Sequence, residues 1–151
     1  MILDAYSRRV IGWALDRTME DSLMLTALRM AFSQRVVEPE LVHHSDRSTQ
    51  YASNEYTDLL KANSIAVSMS RKGNPWDNAC ESFIKTLKYE EVLRNEYRDP
   101  AEARASIREF LEKVYNQKRL HSALGYLPSV EFEANCGAQS RKEAVWQRNS
   151  W

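Results

Sequence analysis

Short apolar runs rich in β-branched residues alternate along this chain with stretches whose apolar residues recur at helical spacing, and that alternation restricts how it can fold. Ile2-Leu3-Asp4 is a short apolar opening, Ala5 to Arg9 is polar and turn-like, and Val10 to Leu15 is apolar and β-branched at its start. Together they predict a hairpin, or the last part of a meander. From Asp21 the period changes: Leu23, Ala27, Met30 and Ala31 predict a helix that Asp21 or Ser22 can cap. A short strand follows over Leu41–Ser45, ending at Asp46, then a helix over Ser53–Asn63 with Tyr56, Leu59 and Leu60 on its apolar side, then a strand over Ile65–Met69. Arg71–Asp77 (R-K-G-N-P-W-D) holds Gly and Pro and predicts a loop. A third helix is expected from Ala79 to about Leu93, with Cys80, Phe83, Ile84 and Leu87 inward. Pro100 suits a helix start, and Ala103, Ile107, Phe110, Leu111 and Val114 give a strongly amphipathic fourth helix. Leu120–Pro128 reads as a loop and Ser129–Asn135 as a short last helix, before a polar tail over residues 135–151. The order β-β-α-β-α-β-α-α implies an α/β sheet with parallel members.

Composition narrows the class. The 151 residues are 43% hydrophobic and 28% charged, the balance of a globular domain rather than a disordered chain. No apolar run approaches the ~18 residues of a membrane span, and no charged-then-apolar leader is visible, so a cytoplasmic protein is expected. Basic and acidic residues both number 21, which argues against a purely electrostatic nucleic-acid binder. It leaves room for an acidic metal site beside a basic flank. Cys80 and Cys136 lie far apart with no C-x-x-C pair, consistent with a reducing compartment.

Two carboxylates stand out. Asp46 lies at the end of a strand candidate in H-H-S-D-R-S-T-Q-Y, where α/β sheets place their sites; capping a turn is the plainer explanation. Glu81 lies in G-N-P-W-D-N-A-C-E-S-F, and Asn78 as N-cap with Glu81 three residues later fits reciprocal capping. Lys85 and Lys88 follow Glu81 at i+4 and i+7, on one helix face. That face is either a Glu–Lys surface pair worth a few tenths of a kcal/mol or a metal ligand flanked by two phosphate-contacting cations. His43 and His44, adjacent in a strand, face opposite ways and cannot both join one site. Arg104, Arg108, Lys113, Lys118, Arg119 and His121 form a basic stretch that is either a solvated face or a DNA contact. Arg71, Lys72 and Arg119 join Lys85 and Lys88 as candidate DNA-binding residues. A Gly-rich phosphate loop and a G-x-S-x-G elbow are both lacking, so nucleotide-dependent and serine-hydrolase chemistry have no support.

Five strings, taken in order, resemble the second-reading-frame transposases of a large bacterial insertion-sequence group, whose catalytic domain is similar to the retroviral integrase core. They are D-A-Y-S-R-R-V-I-G-W (Asp4–Trp13), H-S-D-R-S-T-Q-Y-A-S (His44–Ser53), S-M-S-R-K-G-N-P-W-D-N-A-C-E-S-F (Ser68–Phe83), T-L-K-Y-E (Thr86–Glu90) and Y-N-Q-K-R-L-H-S-A-L-G-Y-L-P (Tyr115–Pro128). The resemblance implies a ribonuclease-H-like mixed sheet flanked by helices, with an integrase-like core over residues 1–134. It implies a triad of two aspartates and a glutamate holding two Mg²⁺ or Mn²⁺ ions for DNA strand cleavage and strand transfer. Transposon ends and target DNA would be the partners, within a homo-oligomeric assembly. Asp46 matches the second aspartate, Glu81 the glutamate, and Lys85 and Lys88 the cations set against the DNA end.

Three departures shape the expectation. The family's first aspartate belongs to a strand before the D-x-x-S-R segment, so the first strand and first aspartate are expected to be missing and Asp4 is not a triad member. On that footing the fragment is expected to be inactive alone and marginally stable, the alternative being a non-catalytic DNA-binding or partner-binding remnant. Second, the family usually has thirty-five residues between its second aspartate and its glutamate, whereas Arg47 to Cys80 is thirty-four, the deficit falling between Asn78 and Glu81. It either rotates Glu81 by about 100° around the helix axis or is absorbed by the preceding loop. The second is favoured, because burying Phe83, Ile84 and Leu87 is worth roughly several kcal/mol. Third, Ser48 stands where glycine is common.

Overall fold

In the computed structural model, which describes residues 1–17, 21–45, 54–69 and 75–136, a hairpin opens the chain. Strand β1 (Ile2–Leu3) pairs with β2 (Val10–Gly12). Asp4 organises the turn: its Oδ1 accepts from the amide N–H of Tyr6 at 2.9 Å and of Ser7 at 3.2 Å. The Arg8 N–H donates to the Asp4 carbonyl and the Asp4 N–H to the Arg9 carbonyl, both at 2.8 Å. Arg8 takes φ 60° there, the left-handed residue with which longer hairpin loops rejoin their strand.

The described residues divide between two compact units. One comprises Met1–Ile2, Ile11–Asp77 and Cys136; the other comprises Leu3–Val10 and Asn78–Asn135.

The first unit is a βαβ arrangement beside a helix. Helix α1 (Asp21–Gln34) precedes β3 (Val42–Ser45), α2 (Asn54–Ala62) and β4 (Ala66–Met69). β3 and β4 run parallel, in register from Val42–Ala66 to Ser45–Met69, with α2 in the crossover that parallel neighbours require. This is the parallel pairing that the alternation of periods predicts. Leu25 and Leu28 of α1, Tyr56 and Leu60 of α2, and Ile65 form the core, each at most 6% exposed. Helix α1 therefore buries Leu25, Ala27, Leu28 and Ala31, while the expected Leu23 and Met30 are only partly covered. Gly12 lies so close to α1 that a Cβ there would stand 2.2 Å from the Ala27 carbonyl oxygen.

The second unit is mostly helical. Helix α3 runs Pro75–Leu87, α4 Pro100–Glu109 and α5 Ser129–Asn135. The expected loop over Arg71–Asp77 therefore ends sooner and the helix starts before Ala79, because proline's fixed φ and missing N–H suit a first helical position. Helix α3 passes into a π-helical turn over Lys88–Val92, and α4 into another over Phe110–Tyr115. Phe83, Leu87, Ile107, Phe110, Leu111, Tyr115 and Leu124 make the core with Val10 of the hairpin. Two assignments on α3 are corrected: Cys80 is exposed and Ile84 is 48% exposed, so the buried line is Phe83, Leu87 and Glu91. On the fourth helix the π turn inserts an extra residue into the repeat, which buries Tyr115 and leaves Val114 outside. Asp99 caps α4, its Oδ1 accepting from the Glu102 N–H at 2.8 Å, while Glu102 reaches back to the Arg98 N–H at 2.7 Å.

Candidate functional site

Strand β3 ends at Ser45, one residue before Asp46. Asp46 itself, with Arg71 and Lys72, lies outside the described residues. The two histidines leading to it face opposite ways, as the pleat demands. His43 Nε2 is 3.0 Å from the Tyr56 hydroxyl beneath α2, and His44 Nδ1 is 3.2 Å from Ser68 Oγ on β4. Burial, aided by the neighbouring His44, lowers His43 to about 4, so its ring is neutral at physiological pH and serves the core.

Helix α3 carries the other candidates. Because the helix begins at Pro75, Asn78 lies inside it and does not act as its N-cap, so reciprocal capping does not account for Glu81. Glu81, Lys85 and Lys88 are all exposed on one line of the helix. None of the three has a hydrogen-bond or ion-pair partner among the described residues, so the Glu–Lys surface pair is not formed either. The opposite line, Phe83 and Leu87 at 3% and 7% exposure, fixes the register; Ile84 contributes little. Asn78 to Glu81 is helical throughout, so any loop that takes up the one-residue deficit lies before Pro75. Among the described residues no three metal-ligating side chains gather.

Around Tyr115 the second unit assembles a group that the sequence only partly signals. Tyr115 packs edge-on against Phe83 at 4.9 Å and against His121 at 5.2 Å. Burial pushes its phenol up to about 12. His121 is lowered, first by burial and then by the nearby guanidiniums of Arg119 and Arg8. Arg119 pairs with Glu90 at 2.6 Å. Asn116 uses its side-chain amide as a strand would use its backbone: Oδ1 accepts from the Val10 N–H at 3.0 Å and Nδ2 donates to the Val10 carbonyl at 3.1 Å. Arg8 and Asn116 carry no signal in the sequence beyond membership of the D-A-Y-S-R-R and Y-N-Q-K-R strings. Of the other cations in the basic stretch, Lys113 pairs with Glu109 at 3.1 Å, and Arg104, Arg108 and Lys118 are exposed. Among the described residues no helix is long and apolar enough to cross a membrane.

Two family profiles, both described as integrase core domain, match residues 1–75 and 63–128. The chain is 39% identical over 132 residues to the transposase for insertion sequence element IS904 of Lactococcus lactis, covering 87% of this chain and 52% of that protein. It is 37% identical over 134 residues to the transposase InsF for insertion sequence IS3A of Escherichia coli, covering 88% and 46% respectively. A 31 kDa protein of insertion element IS600 from Shigella sonnei is 38% identical over 132 residues, covering 87% and 48%. The chain spans about half the length of these curated relatives.

Proposed function

We propose that this chain, which belongs to the integrase core family with its ribonuclease-H-like fold, contributes Asp46 and Glu81 to a metal centre for DNA strand cleavage and strand transfer in transposition. The observation that carries the reading is the Glu81–Lys85–Lys88 line: a carboxylate and two ammonium groups, all exposed and committed to no partner among the described residues. A structural surface pair would close those charges on each other; a site that receives ions and DNA leaves them open.

Hard oxygen donors such as these fit Mg²⁺ or Mn²⁺. When bound, such ions activate water or a 3′-hydroxyl and stabilise the leaving oxygen. The protein's own work is positional. Phe83 and Leu87, buried beneath the helix, set the direction of Glu81. Lys85 and Lys88 neutralise backbone phosphates beside it, and Arg71, Lys72 and Arg119 are further DNA-binding candidates. The partners are transposon ends and target DNA, the active assembly is a homo-oligomer, and the compartment is the bacterial cytoplasm.

Mn²⁺ binding followed by electron paramagnetic resonance, alongside strand transfer on a duplex bearing a transposon end, tests this. Asp46→Asn and Glu81→Gln are each expected to weaken Mn²⁺ binding at least about tenfold with circular dichroism unchanged, and chelator to leave DNA binding in place; with the first aspartate missing, the chain alone is expected to give no strand transfer, and clear turnover abolished by Asp46→Asn would refute that inactivity. Unchanged Mn²⁺ affinity in the double variant would overturn the assignment.

A further inference from the structure

The exposed face of α3 carries more than charge. Where the helix passes into its π turn, two neighbouring glutamates are drawn to the packed side. Glu90 meets Arg119 at 2.6 Å, and Glu91 accepts from the Tyr97 hydroxyl at 3.0 Å and from the Ser106 hydroxyl of α4. These bonds fix the phase of the turn and leave the residue before them facing outward. Tyr89 is 62% exposed, and neither its ring nor its hydroxyl has a partner among the described residues. It follows Lys88 directly and stands one turn past Lys85. Ile84 is exposed one turn before Lys88, and Val92 about one turn after it. Single apolar residues on a surface are ordinary. Here three of them interleave with two lysines on the face that carries Glu81, opposite the buried line of Phe83, Leu87 and Glu91.

We propose that Tyr89 stacks on the base of an unpaired nucleotide at a DNA end while Lys85 and Lys88 hold phosphates beside it, so that this face selects a frayed end over continuous duplex. The charges decide the occupant. A second protein surface laid on this face would bury two ammonium groups without counter-charges, which is costly. DNA supplies both halves, phosphates for the ammonium groups and a flat base for the ring. A paired base gives its faces to its neighbours in the stack, so the ring needs a nucleotide that has left the helix, and unstacking costs least where the base is already unpaired. Base stacking on an aromatic ring tolerates any sequence, so the face reads the state of the end and not its bases. Tyr89 thus determines specificity and is not a catalytic residue. The proposal rests on the DNA strand-transfer reading above, but it requires neither Asp46 nor a metal.

The test is fluorescence anisotropy with the whole chain in chelator, over a salt series, on two labelled DNA hairpins: one blunt, the other ending in a short unpaired tail. The unaltered chain should prefer the unpaired end about fivefold to tenfold, the low end of what one stacked base contributes, since the ring offers a single exposed face. Tyr89→Ala should abolish that preference while leaving affinity for the blunt hairpin, and its dependence on salt, as they were. Tyr89→Phe should keep the preference, because the ring stacks and the hydroxyl does not. Lys85→Gln should weaken both probes and reduce the slope of log affinity against log salt by about one. A 5-iodouracil at the first unpaired position should photocross-link to the peptide that holds Tyr89. Equal affinity of the unaltered chain for the two probes, or a preference that survives Tyr89→Ala with native circular dichroism, would remove the stacking role. The metal-centre reading would stand, since Mn²⁺ binding measures it separately. A cross-link confined to other peptides would remove the stacking role too. If Tyr89→Ala instead disperses a self-associated chain in sedimentation velocity and the end preference persists, the face is a contact between copies and the DNA assignment fails. Binding of neither hairpin by the unaltered chain would remove both proposals.

Discussion

Replacing Asn116 with alanine strips the Val10 backbone of both its side-chain partners at once. Val10 is 4% exposed and Asn116 7%, so neither freed group regains water without a local opening. A buried backbone donor or acceptor left unpaired costs about 1–3 kcal/mol. Two of them give roughly 2–6 kcal/mol, and because they belong to one residue and are exposed together by a single local opening, about 3 kcal/mol is expected. For a chain of this length that lowers the melting temperature by about 6–12 °C. Thermal melts by circular dichroism measure the loss, and hydrogen exchange at the Val10 amide locates it. Asn116→Asp sharpens the test. An ionised carboxylate accepts from the Val10 N–H but faces its carbonyl with a second negative oxygen, whereas the protonated acid can accept and donate as the amide does. The folded-state pKa of the introduced group therefore rises above its unfolded value of about 3.9. Stability from the protonated form is complete below that unfolded value and is lost as pH rises through the folded one. This variant should thus gain, relative to the unaltered chain, as the solution is acidified. A loss under about 0.5 kcal/mol for Asn116→Ala with unchanged Val10 exchange would refute the argument.

Three further outcomes follow. Gly12→Ala places a methyl 2.2 Å from a backbone oxygen that cannot rotate aside, so β2 must withdraw from α1; a loss of at least about 2 kcal/mol in chemical denaturation is expected. His43, lowered to about 4 by burial and His44, has a folded-state value beneath its unfolded 6.5. The stability of the neutral ring is complete above 6.5 and is lost as pH falls through the window down to about 4, up to about 3 kcal/mol; an NMR titration of His43 with a midpoint near 6.5 would exclude this. Glu91 is 8% exposed and accepts hydrogen bonds from the Tyr97 and Ser106 hydroxyls. Glu91→Gln should let the Tyr97 phenol, raised by burial and then by Glu91, fall back toward 10 in an ultraviolet titration.

Local chemistry made much of this structure readable from sequence. The last helix occupies Ser129–Asn135 as the pattern predicts, and the fourth begins at Pro100. The parallel pairing of β3 with β4 follows from the switch between periods 2 and 3.6 on either side of α2. What escaped has definite physical causes. A helical period read without knowing the helix start leaves its phase open, which is why the pattern puts Cys80 and Ile84 inside and matches Glu81 to a cap at Asn78. The π turns add a residue to the repeat without a signature in composition, and so exchange Val114 for Tyr115. Of the candidate site, Glu81, Lys85 and Lys88 are on one exposed face as their spacing requires. The bond between Asn116 and Val10 joins residues 106 positions apart, a distance over which no periodicity carries information.

That same separation has a consequence for how the chain comes to be folded in the cell. The turn around Arg8 leaves the ribosome well before the amide that completes it, which is not made until 106 further residues have been added. At about 5–20 residues per second, the opening hairpin waits roughly 5–20 seconds for its partner. Meanwhile the βαβ arrangement of the other unit, encoded in between, has all its core residues already synthesised. Closing so long a loop carries a large entropic penalty, so the hairpin docks late, after the helices that receive it have condensed. Val10 is thus brought to Asn116 late in folding, and a nascent chain cannot complete the turn before the helical segment that carries Asn116 has been made.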